Sequence, residues 1–262
     1  MNNRGILFFG SWIAIVAMLT TCEVATEEDQ EDGKTDGTTD TVNAANCANH
    51  EEASDYVWES LSVIPITLNG TSITENTDGA SVSGSKLTIT AAGTYSLTGP
   101  LTDGQIIVNT TDKAVVRLIL NGANISCSSS APVYISSAEK VIIVLADNTE
   151  NYITDGTSYS LASGSAEPNA ALFSKANLTL YGKGSLTVTG KYNDGITSKD
   201  GLIVKSGTIS VTSADDGIRG KDYLIVRDGN ITVTSTGDGL VSDNTDDATK
   251  GYISIDTGVM NI

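Results

Sequence analysis

Short apolar runs punctuated by polar turn residues make up most of this chain. Runs such as Leu202–Val204 and Ile209–Val211 are interrupted every three to five residues by Gly, Asp, Asn or Ser. Thr, Ser, Val and Ile dominate these runs, a composition typical of β-strands joined by tight turns. After the N-terminus, no stretch shows the i, i+3, i+4, i+7 apolar spacing of an amphipathic helix. The pattern therefore predicts an all-β fold.

The same pattern repeats at a fixed interval. The tripeptide Asp-Gly-(Ile/Leu) begins at Asp194, Asp216 and Asp238, so its copies lie 22 residues apart. A unit of this length is too short for a propeller blade and lacks the leucine-rich consensus, but it suits one turn of a parallel β-helix. We therefore predict a solenoid of coils of about 22 residues over residues 55–262. An ordinary β-sandwich with coincidental spacing is the alternative.

Equivalent positions in successive coils are predicted to form the hydrophobic core. When the repeats are aligned, apolar residues recur at the same positions and would face inward as continuous columns. Three such columns are Leu178, Leu202, Leu224 and Ile253; Leu186, Ile209, Ile231 and Met260; and Ile196, Ile218 and Leu240. The extra polar residues of Asp243–Thr249 are expected to form a loop on the rim, where insertions in solenoids fall.

The N-terminus has the features of an export signal. Arg4 precedes an apolar stretch from Ile6 to Leu19, and Leu19-Thr-Thr-Cys22 resembles a bacterial lipobox. Residues 1–21 are therefore predicted to be a lipoprotein signal peptide, with lipid attached at Cys22. A membrane-spanning helix is the alternative, although this stretch is short for roughly 30 Å of hydrocarbon. We expect an exported protein at the outer membrane or cell surface that touches the membrane only through its lipid.

The charge of the chain is distributed unevenly. From Glu23 to Asp55 there are eleven acidic residues and one Lys, and residues 22–54 are predicted to be an acidic disordered tether. Residues 56–262 hold 21 acidic and 13 basic residues, a net charge of −8. This balance argues against nucleic acid as a partner and favours cations or uncharged polymers.

The reactive side chains limit the possible chemistry. The only histidine, His50, lies near the end of the predicted tether. The sequence therefore contains no Ser-His-Asp or Cys-His constellation and no histidine-based zinc site. Besides Cys22, the chain has Cys47 and Cys127, which export would allow to pair. Two independent thiols are the alternative, and two cysteines alone are weak evidence for a disulfide.

The repeated aspartates are the candidate metal site. In stacked coils Asp194, Asp216 and Asp238 would form a carboxylate column at strand spacing, roughly 4.8 Å, with Asp215 and Asp243 beside it. Like charges this close repel each other, and a hard cation with oxygen ligands would neutralise them. Calcium is the expected ion outside the cell. The alternative is turn chemistry, in which Asp caps the backbone, Gly supplies positive φ and neighbouring basic residues balance the charge.

Basic and aromatic residues on the same rim are the candidate ligand-binding residues. They are Lys199, Arg219, Lys221, Tyr192 and Tyr223. Lys and Arg can hold the carboxylates of sugar acids, and a tyrosine face can lie against a sugar ring. Packing at the rim with a solvated hydroxyl is the alternative for the tyrosines.

Several segments match those of a known family in order. They include Ser54–Ser60, Gly93–Gly99, Leu118–Ile125 and Asn177–Leu186, followed by the Asp-Gly-Ile-x-x-Lys-Asp repeats. In roughly residues 50 to 262 the chain resembles exported bacterial proteins described as carbohydrate-binding domain-containing. The described member is a calcium-containing right-handed parallel β-helix related to pectate lyases, so the resemblance implies this fold and this ion. Because family members usually continue through further coils, it also implies a domain that is incomplete at Ile262.

The resemblance implies binding of plant cell-wall polysaccharide, with pectic polygalacturonate and cellulose as the associated ligands. Together with the acidic column, it leads us to expect calcium-assisted, non-catalytic binding at the bacterial surface. One alternative is a calcium-dependent pectate lyase, in which Lys199 or Lys221 removes the proton beside a uronate carboxylate. A second is a structural surface adhesin that binds calcium only for rigidity. Enzymatic activity stays open at this point.

Overall fold

The structure, a computed structural model, describes residues 49–262, which are built almost entirely from β-strands. Two short 3₁₀ helices, Ala53–Tyr56 and Ser60–Ser62, precede the strands. In chain order the strands are β1 (Val63–Asn69), β2 (Ser72–Thr74), β3 (Ala80–Ser83), β4 (Lys86–Ile89), β5 (Gly93–Leu101), β6 (Gln105–Asn109), β7 (Val116–Cys127), β8 (Val133–Ser137), β9 (Lys140–Leu145), β10 (Glu150–Asp155), β11 (Ala170–Ser174), β12 (Asn177–Gly182), β13 (Ser185–Gly190), β14 (Asp194–Ser198), β15 (Gly201–Val204), β16 (Thr208–Ser213), β17 (Ile218–Gly220), β18 (Tyr223–Val226), β19 (Asn230–Ser235), β20 (Leu240–Val241), β21 (Tyr252–Ile255) and β22 (Val259–Asn261). The predicted all-β class is confirmed.

From β8 onward the chain passes through three strand positions in a fixed order. Face A contains β9, β12, β15, β18 and β21; face B contains β10, β13, β16, β19 and β22; face C contains β8, β11, β14, β17 and β20. Neighbouring strands within each face pair in parallel, one winding apart. Residues far apart in the sequence are therefore brought together at strand spacing.

The larger sheet is curled around its longest strand. Residues 116–120 of β7 pair with β9, and residues 124–127 pair with β10, so that one strand serves both face A and face B. These two faces are the branches of one 14-stranded sheet, while face C belongs to an 8-stranded sheet. The consecutive strands β21 and β22 consequently lie at opposite ends of the path through the larger sheet.

The strand register confirms the predicted core columns. Each residue pairs with the next in its column, in the order Leu178, Leu202, Leu224 and Ile253 on face A; Leu186, Ile209, Ile231 and Met260 on face B; and Ile196, Ile218 and Leu240 on face C. Residues in the middle windings are almost fully buried, as Leu202 and Leu224 show. Ile253, on β21 at the end of the described strands of face A, is 43% exposed.

Two long connections add surface to the rims. Residues 156–169 connect β10 to β11, and residues 242–251 connect β20 to β21. The second contains the polar insertion that was expected at the rim. Within residues 49–262, no helix has the length and apolar character needed to cross a membrane.

Several sequence predictions fall wholly or partly outside the described residues. The signal peptide, Cys22, Cys47 and most of the acidic tether lie there. Cys127 is buried, and its thiol is free among residues 49–262. Residues 49–54, predicted as the end of the tether, belong to the same compact unit as the strands.

Candidate functional site

The three repeated aspartates stack as the register requires. Asp194 begins β14, and its Oδ1 accepts a hydrogen bond from the backbone N–H of Asp216 over 3.3 Å. Asp216 repeats the arrangement, since its Oδ1 accepts from the backbone N–H of Asp238 over 2.8 Å. Each carboxylate thus satisfies a backbone donor of the next coil, which accounts for part of the repeat without a ligand.

The glycines of the repeat are required by space. Gly195, Gly217 and Gly239 do not have positive φ, so the expectation that they supply left-handed backbone is wrong. A Cβ on Gly217 would lie 2.3 Å from Val233 Cγ1 and 2.5 Å from the carbonyl oxygen of Gly239. Close packing of each Asp-Gly turn against face B and the next coil therefore excludes a side chain.

Arg219 is the cation of the acidic column. Its Nη2 donates to Asp216 Oδ2, its Nη1 donates to Asp243 Oδ2, and its Nε lies 3.7 Å from Asp194 Oδ2. Burial opposes the charge of Arg219, but the carboxylates of Asp194, Asp243 and Asp216 outweigh it and raise its pKa above the ordinary value. Its Nε is buried without a hydrogen-bond partner in the described part of the chain.

Asp194 is the most buried member of the column. Its side chain is almost inaccessible, and it accepts hydrogen bonds from Thr197 Oγ1 over 2.9 Å and Asn169 Nδ2 over 3.1 Å. Burial raises the pKa of Asp194, although the Thr197 hydroxyl and Arg219 act in the opposite direction. The carboxylate is held by protein donors on several sides.

The column does not fit a calcium ion as it stands. Within residues 49–262, no group of three or more His, Cys, Asp or Glu side chains is arranged to hold a metal ion. The guanidinium of Arg219 takes the position between Asp194, Asp216 and Asp243 where a divalent ion would have to reach them. Asp238, which is a member of the column, and Asp215 beside it are solvent-exposed. Calcium binding by these residues stays a prediction.

The predicted sugar-binding lysines differ in their surroundings. Lys199 Nζ lies 3.0 Å from Glu167 Oε1, and Lys175 lies 3.0 Å from the other oxygen of the same carboxylate. Glu167 belongs to the connection 156–169, which brings it over face C. Lys221 forms no salt bridge within residues 49–262. Of the two candidate bases, only Lys221 lacks a carboxylate partner in the described part of the chain.

Tyr192 packs against another tyrosine. Its ring stacks on Tyr159 with centroids 4.1 Å apart and an interplanar angle of 13°. The Tyr159 hydroxyl donates to Asp155 Oδ2 over 2.7 Å. Burial raises the pKa of Asp155 even though Tyr159 and backbone N–H groups stabilise its charged form. One face of Tyr192 is therefore used in packing.

The segment 49–62, which we call the N-terminal strap, covers part of face A. His50 stacks on Tyr223 with ring centroids 3.8 Å apart, and its Nε2 hydrogen bonds to the Tyr252 hydroxyl at 2.9 Å. Tyr223 is consequently only 8% exposed. The structure does not present this predicted sugar-binding ring to solvent, because a residue assigned to the disordered tether lies on it.

Two carboxylates of the strap anchor it to the strands. Glu51 lies 2.9 Å from Lys205 Nζ and 2.7 Å from Arg227 Nε. Asp55, almost fully buried, lies 2.8 Å from Lys140 Nζ. The strap therefore crosses successive strands of face A and is held by ion pairs at Glu51 and at Asp55.

An open groove lies beside the far end of the strap. It has a volume of about 860 Å³ and is lined by strap residues, including Trp58 and Glu59, together with residues near the starts of β5, β7 and β9. Arg117, Lys140 and Glu139 are among the latter. The groove thus combines one aromatic side chain with seven charged residues.

Comparison with known proteins places the chain in a family. A family model described as carbohydrate-binding domain-containing protein matches residues 83–262. The chain belongs to this family. The match includes faces A, B and C and the whole aspartate column, while the strap and Trp58 lie before it.

Two proteins illustrate the family relationship. A carbohydrate-binding domain-containing protein of Acetivibrio thermocellus is 43% identical over 61 residues, which are 23% of this chain and 21% of that protein. The chain thus matches about a fifth of that relative's length. The gadolinium derivative of a polysaccharide lyase-like protein from C. thermocellum has a TM-score of 0.74 and 36% sequence identity, covering 75% of this chain and 80% of the other. The fold is therefore shared with a polysaccharide lyase-like protein.

Replacement of Glu51 with glutamine tests whether the strap is fixed to face A. Burial raises the pKa of Glu51, but hydrogen bonds from Tyr56, Lys205 and Arg227 outweigh it and lower the pKa below the ordinary value. A carboxyl group whose pKa is lowered by folding stabilises the folded state at pH values above its unfolded-state pKa. This stabilisation is lost as the pH falls through the folded-state pKa. We expect Glu51→Gln to reduce the free energy of unfolding by about 1–3 kcal/mol at pH 7, and by much less below ~pH 4.

Chemical denaturation of the full chain at both pH values measures this effect. Glu139→Gln is the matched control, because Glu139 forms an exposed pair with Lys113 at 3.0 Å. An exposed pair contributes at most about 1 kcal/mol. Equal, small losses for both variants would show that the strap adds no stability through Glu51.

Proposed function

We propose that this protein binds polysaccharide without cleaving it, with plant cell-wall polymers as its ligands. Membership of the carbohydrate-binding domain-containing family over residues 83–262 is the observation that carries this proposal. The polysaccharide lyase-like neighbour supports the same ligand class, since 36% identity extends over 75% of the chain. Pectic polygalacturonate and cellulose are the candidate polymers.

Ion pairing within the rim supports binding over catalysis. Arg219 is engaged by Asp216 and Asp243, and Lys199 is engaged by Glu167. A base that removes a proton from sugar must reach the substrate with a free electron pair. The Nζ of Lys199 lies 3.0 Å from Glu167 Oε1, so this side chain is held by the protein's own carboxylate and is not directed at a substrate.

Sedimentation with insoluble polymer tests the proposal. The full chain is mixed with pectate gel or with cellulose, and bound protein is measured as a function of concentration. We expect saturable binding to at least one polymer and none to an inert matrix of equal surface area. Absence of saturable binding to either polymer would overturn the proposed function.

Calcium assistance is tested in the same assay with a chelator. Because the guanidinium of Arg219 already lies against Asp194, Asp216 and Asp243, no binding step through calcium follows from the described side chains. An unchanged dissociation constant in EGTA would show that calcium takes no part in polymer binding. A large loss of affinity in EGTA would show that polymer binding needs calcium in addition to Arg219.

The second candidate function is that of a lyase. The observation that favours it is the absence of an ion-pair partner for Lys221 in the described part of the chain. Lys221 forms no salt bridge within residues 49–262, and the solved neighbour is polysaccharide lyase-like. Lys221 would remove the proton beside a uronate carboxylate. Ultraviolet absorbance from unsaturated uronate during incubation with polygalacturonate, lost in Lys221→Ala, would establish this function. A flat absorbance trace would exclude it for that polymer.

We further infer that the winding of faces A, B and C is a right-handed parallel β-helix. The fixed order of strands from β8 to β22 supports a solenoid, and right-handed connections are strongly preferred between parallel strands of one sheet. Experimental coordinates that show a left-handed winding would overturn the inference.

The predicted cellular location is also a proposal. Lipidation at Cys22 would hold the protein at the bacterial surface, where it meets external polymers. Fatty-acid labelling of the protein in cells, compared with Cys22→Ser, tests this anchor. Equal labelling of the two proteins would refute it.

A further inference from the structure

Trp58 is the chemically distinctive residue of the groove at the end of the strap. It is partly buried, and its ring contacts no other aromatic ring within residues 49–262. The tyrosines near the rim are different, since Tyr192 stacks on Tyr159 and Tyr223 lies beneath His50. The indole of Trp58 is thus a flat apolar surface that lines an open space and is not committed to aromatic packing.

The opposite side of the groove allows close approach. Its lining includes Ala92 and Ala114, which carry only a methyl group, and Gly93, which has no side chain. The groove volume of about 860 Å³ lies within the range of about 300–1,000 Å³ typical of small-ligand sites. A short oligomer therefore has room to lie across the indole.

The charges of the groove are balanced before any ligand arrives. Lys113 pairs with Glu139 at 3.0 Å, and Lys140 pairs with the buried carboxylate of Asp55 at 2.8 Å. Arg117 donates to the backbone carbonyl of Ser54 over 2.6 Å and to that of Asp55 over 3.1 Å. All three basic side chains of the lining thus have partners within the protein.

The remaining charge disfavours an acidic ligand. The acidic lining residues are Glu52, Asp55, Glu59 and Glu139, and the basic ones are Lys113, Arg117 and Lys140. Four acids against three bases leave a formal charge of −1, so a uronate carboxylate would meet net repulsion. Sugar hydroxyls both donate and accept hydrogen bonds, and the mixed set of ammonium, guanidinium and carboxylate groups provides partners for both roles.

We propose that this groove binds an uncharged segment of a polysaccharide, a short run of neutral hexoses, with one sugar ring stacked on Trp58. The inference rests on the proposed polysaccharide binding and adds its position and the charge class of its ligand. The site is formed by the strap and the first windings, away from the aspartate column. Stacking supplies apolar contact, while the ion-paired side chains position the hydroxyls.

Fluorescence of the full chain provides the direct test, because its two tryptophans are Trp12 and Trp58. In a Trp12→Phe background, Trp58 is the only tryptophan. The probes are a β-1,4-linked gluco-oligosaccharide and an oligogalacturonide of equal length. We expect the neutral probe to change the Trp58 emission saturably and the acidic probe to bind at least about tenfold more weakly.

Calorimetry with single substitutions locates the site. Trp58→Ala should weaken binding of the neutral probe by about tenfold or more, and Trp58→Phe should restore part of it because a smaller ring still stacks. Tyr152→Ala is the matched control, since Tyr152 is an aromatic residue on face B that is 38% exposed and lies outside the groove lining. Thermal unfolding of each variant checks that the fold is retained.

The outcomes separate the groove from the general function. Equal binding of the neutral probe by wild type and Trp58→Ala would overturn the groove assignment while leaving polysaccharide binding intact. Preference of the groove for the oligogalacturonide would also overturn it. Failure of the wild type to bind either probe or either polymer would overturn the proposed function itself.

Discussion

Arg219→Ala is expected to lower the free energy of unfolding by about 3 kcal/mol at pH 7. The guanidinium contacts Asp216 and Asp243 and lies close to Asp194, whose side chain is 1% exposed. Its removal leaves buried or partly buried carboxylates without a cation, which costs about 3–5 kcal/mol for a fully buried pair. The lower end of that range applies because the Arg219 side chain is 25% exposed.

Acidification and a second substitution serve as controls for this result. Burial already raises the pKa of Asp194, and loss of Arg219 removes an attraction that lowers it. The folded variant then takes up protons more readily than the unfolded chain, so the deficit should shrink as pH falls toward ~4. Asp216→Asn should recover part of the stability in the Arg219→Ala background. A variant as stable as wild type at pH 7 would show that the column does not depend on Arg219.

Leu202→Ala is expected to lower the free energy of unfolding by about 2–5 kcal/mol. Leu202 is fully buried in the middle of its column, where Leu178 and Leu224 pack above and below it. Removal of its isobutyl group leaves a cavity that the rigid neighbouring windings fill poorly. Chemical denaturation monitored by circular dichroism measures the loss.

Leu240→Ala is the matched control for position in the stack. Leu240 is the last member of the face C column and is only partly buried. The same substitution should therefore cost less, about 1–2 kcal/mol, since part of the side chain is already in contact with water. Equal costs at the two positions would contradict a core that is continuous through the middle windings.

The core could be predicted from the sequence because it depends on periodicity alone. Once Leu202 and Leu224 are placed one winding apart, the parallel register follows and the columns are determined. The same reasoning placed Asp194 above Asp216. These features depend on spacing along the chain and need no knowledge of side-chain direction.

The cation that pairs with the aspartate column could not be predicted in this way. The spacing shows three like charges and indicates a cation, but the choice between a metal ion and Arg219 depends on where one long side chain points. Arg219 follows Asp216 by three residues and was predicted to hold sugar carboxylates. In the structure the protein's own carboxylates occupy it.

The strap was missed because its composition resembles that of the preceding segment. His50, Glu51 and Asp55 continue an acidic, polar stretch that favours disorder. Their partners lie far along the sequence, since Lys140 is 85 residues after Asp55 and Arg227 is 176 residues after Glu51, so no local pattern connects them. Trp58 offered a signal, since it is the only tryptophan of the sequence outside the predicted signal peptide.

The length of the polymer chain after binding distinguishes a polysaccharide-binding protein from an enzyme that cleaves polysaccharide. Polygalacturonate and a soluble β-glucan are saturated with the full chain, recovered after removal of the protein, and sized by gel filtration against untreated polymer. We expect the protein to be bound to at least one polymer at saturation and both polymers to keep their original length. Shortened polymer would show that the protein is an enzyme, and polymer that never retains protein would show that it does not bind polysaccharide.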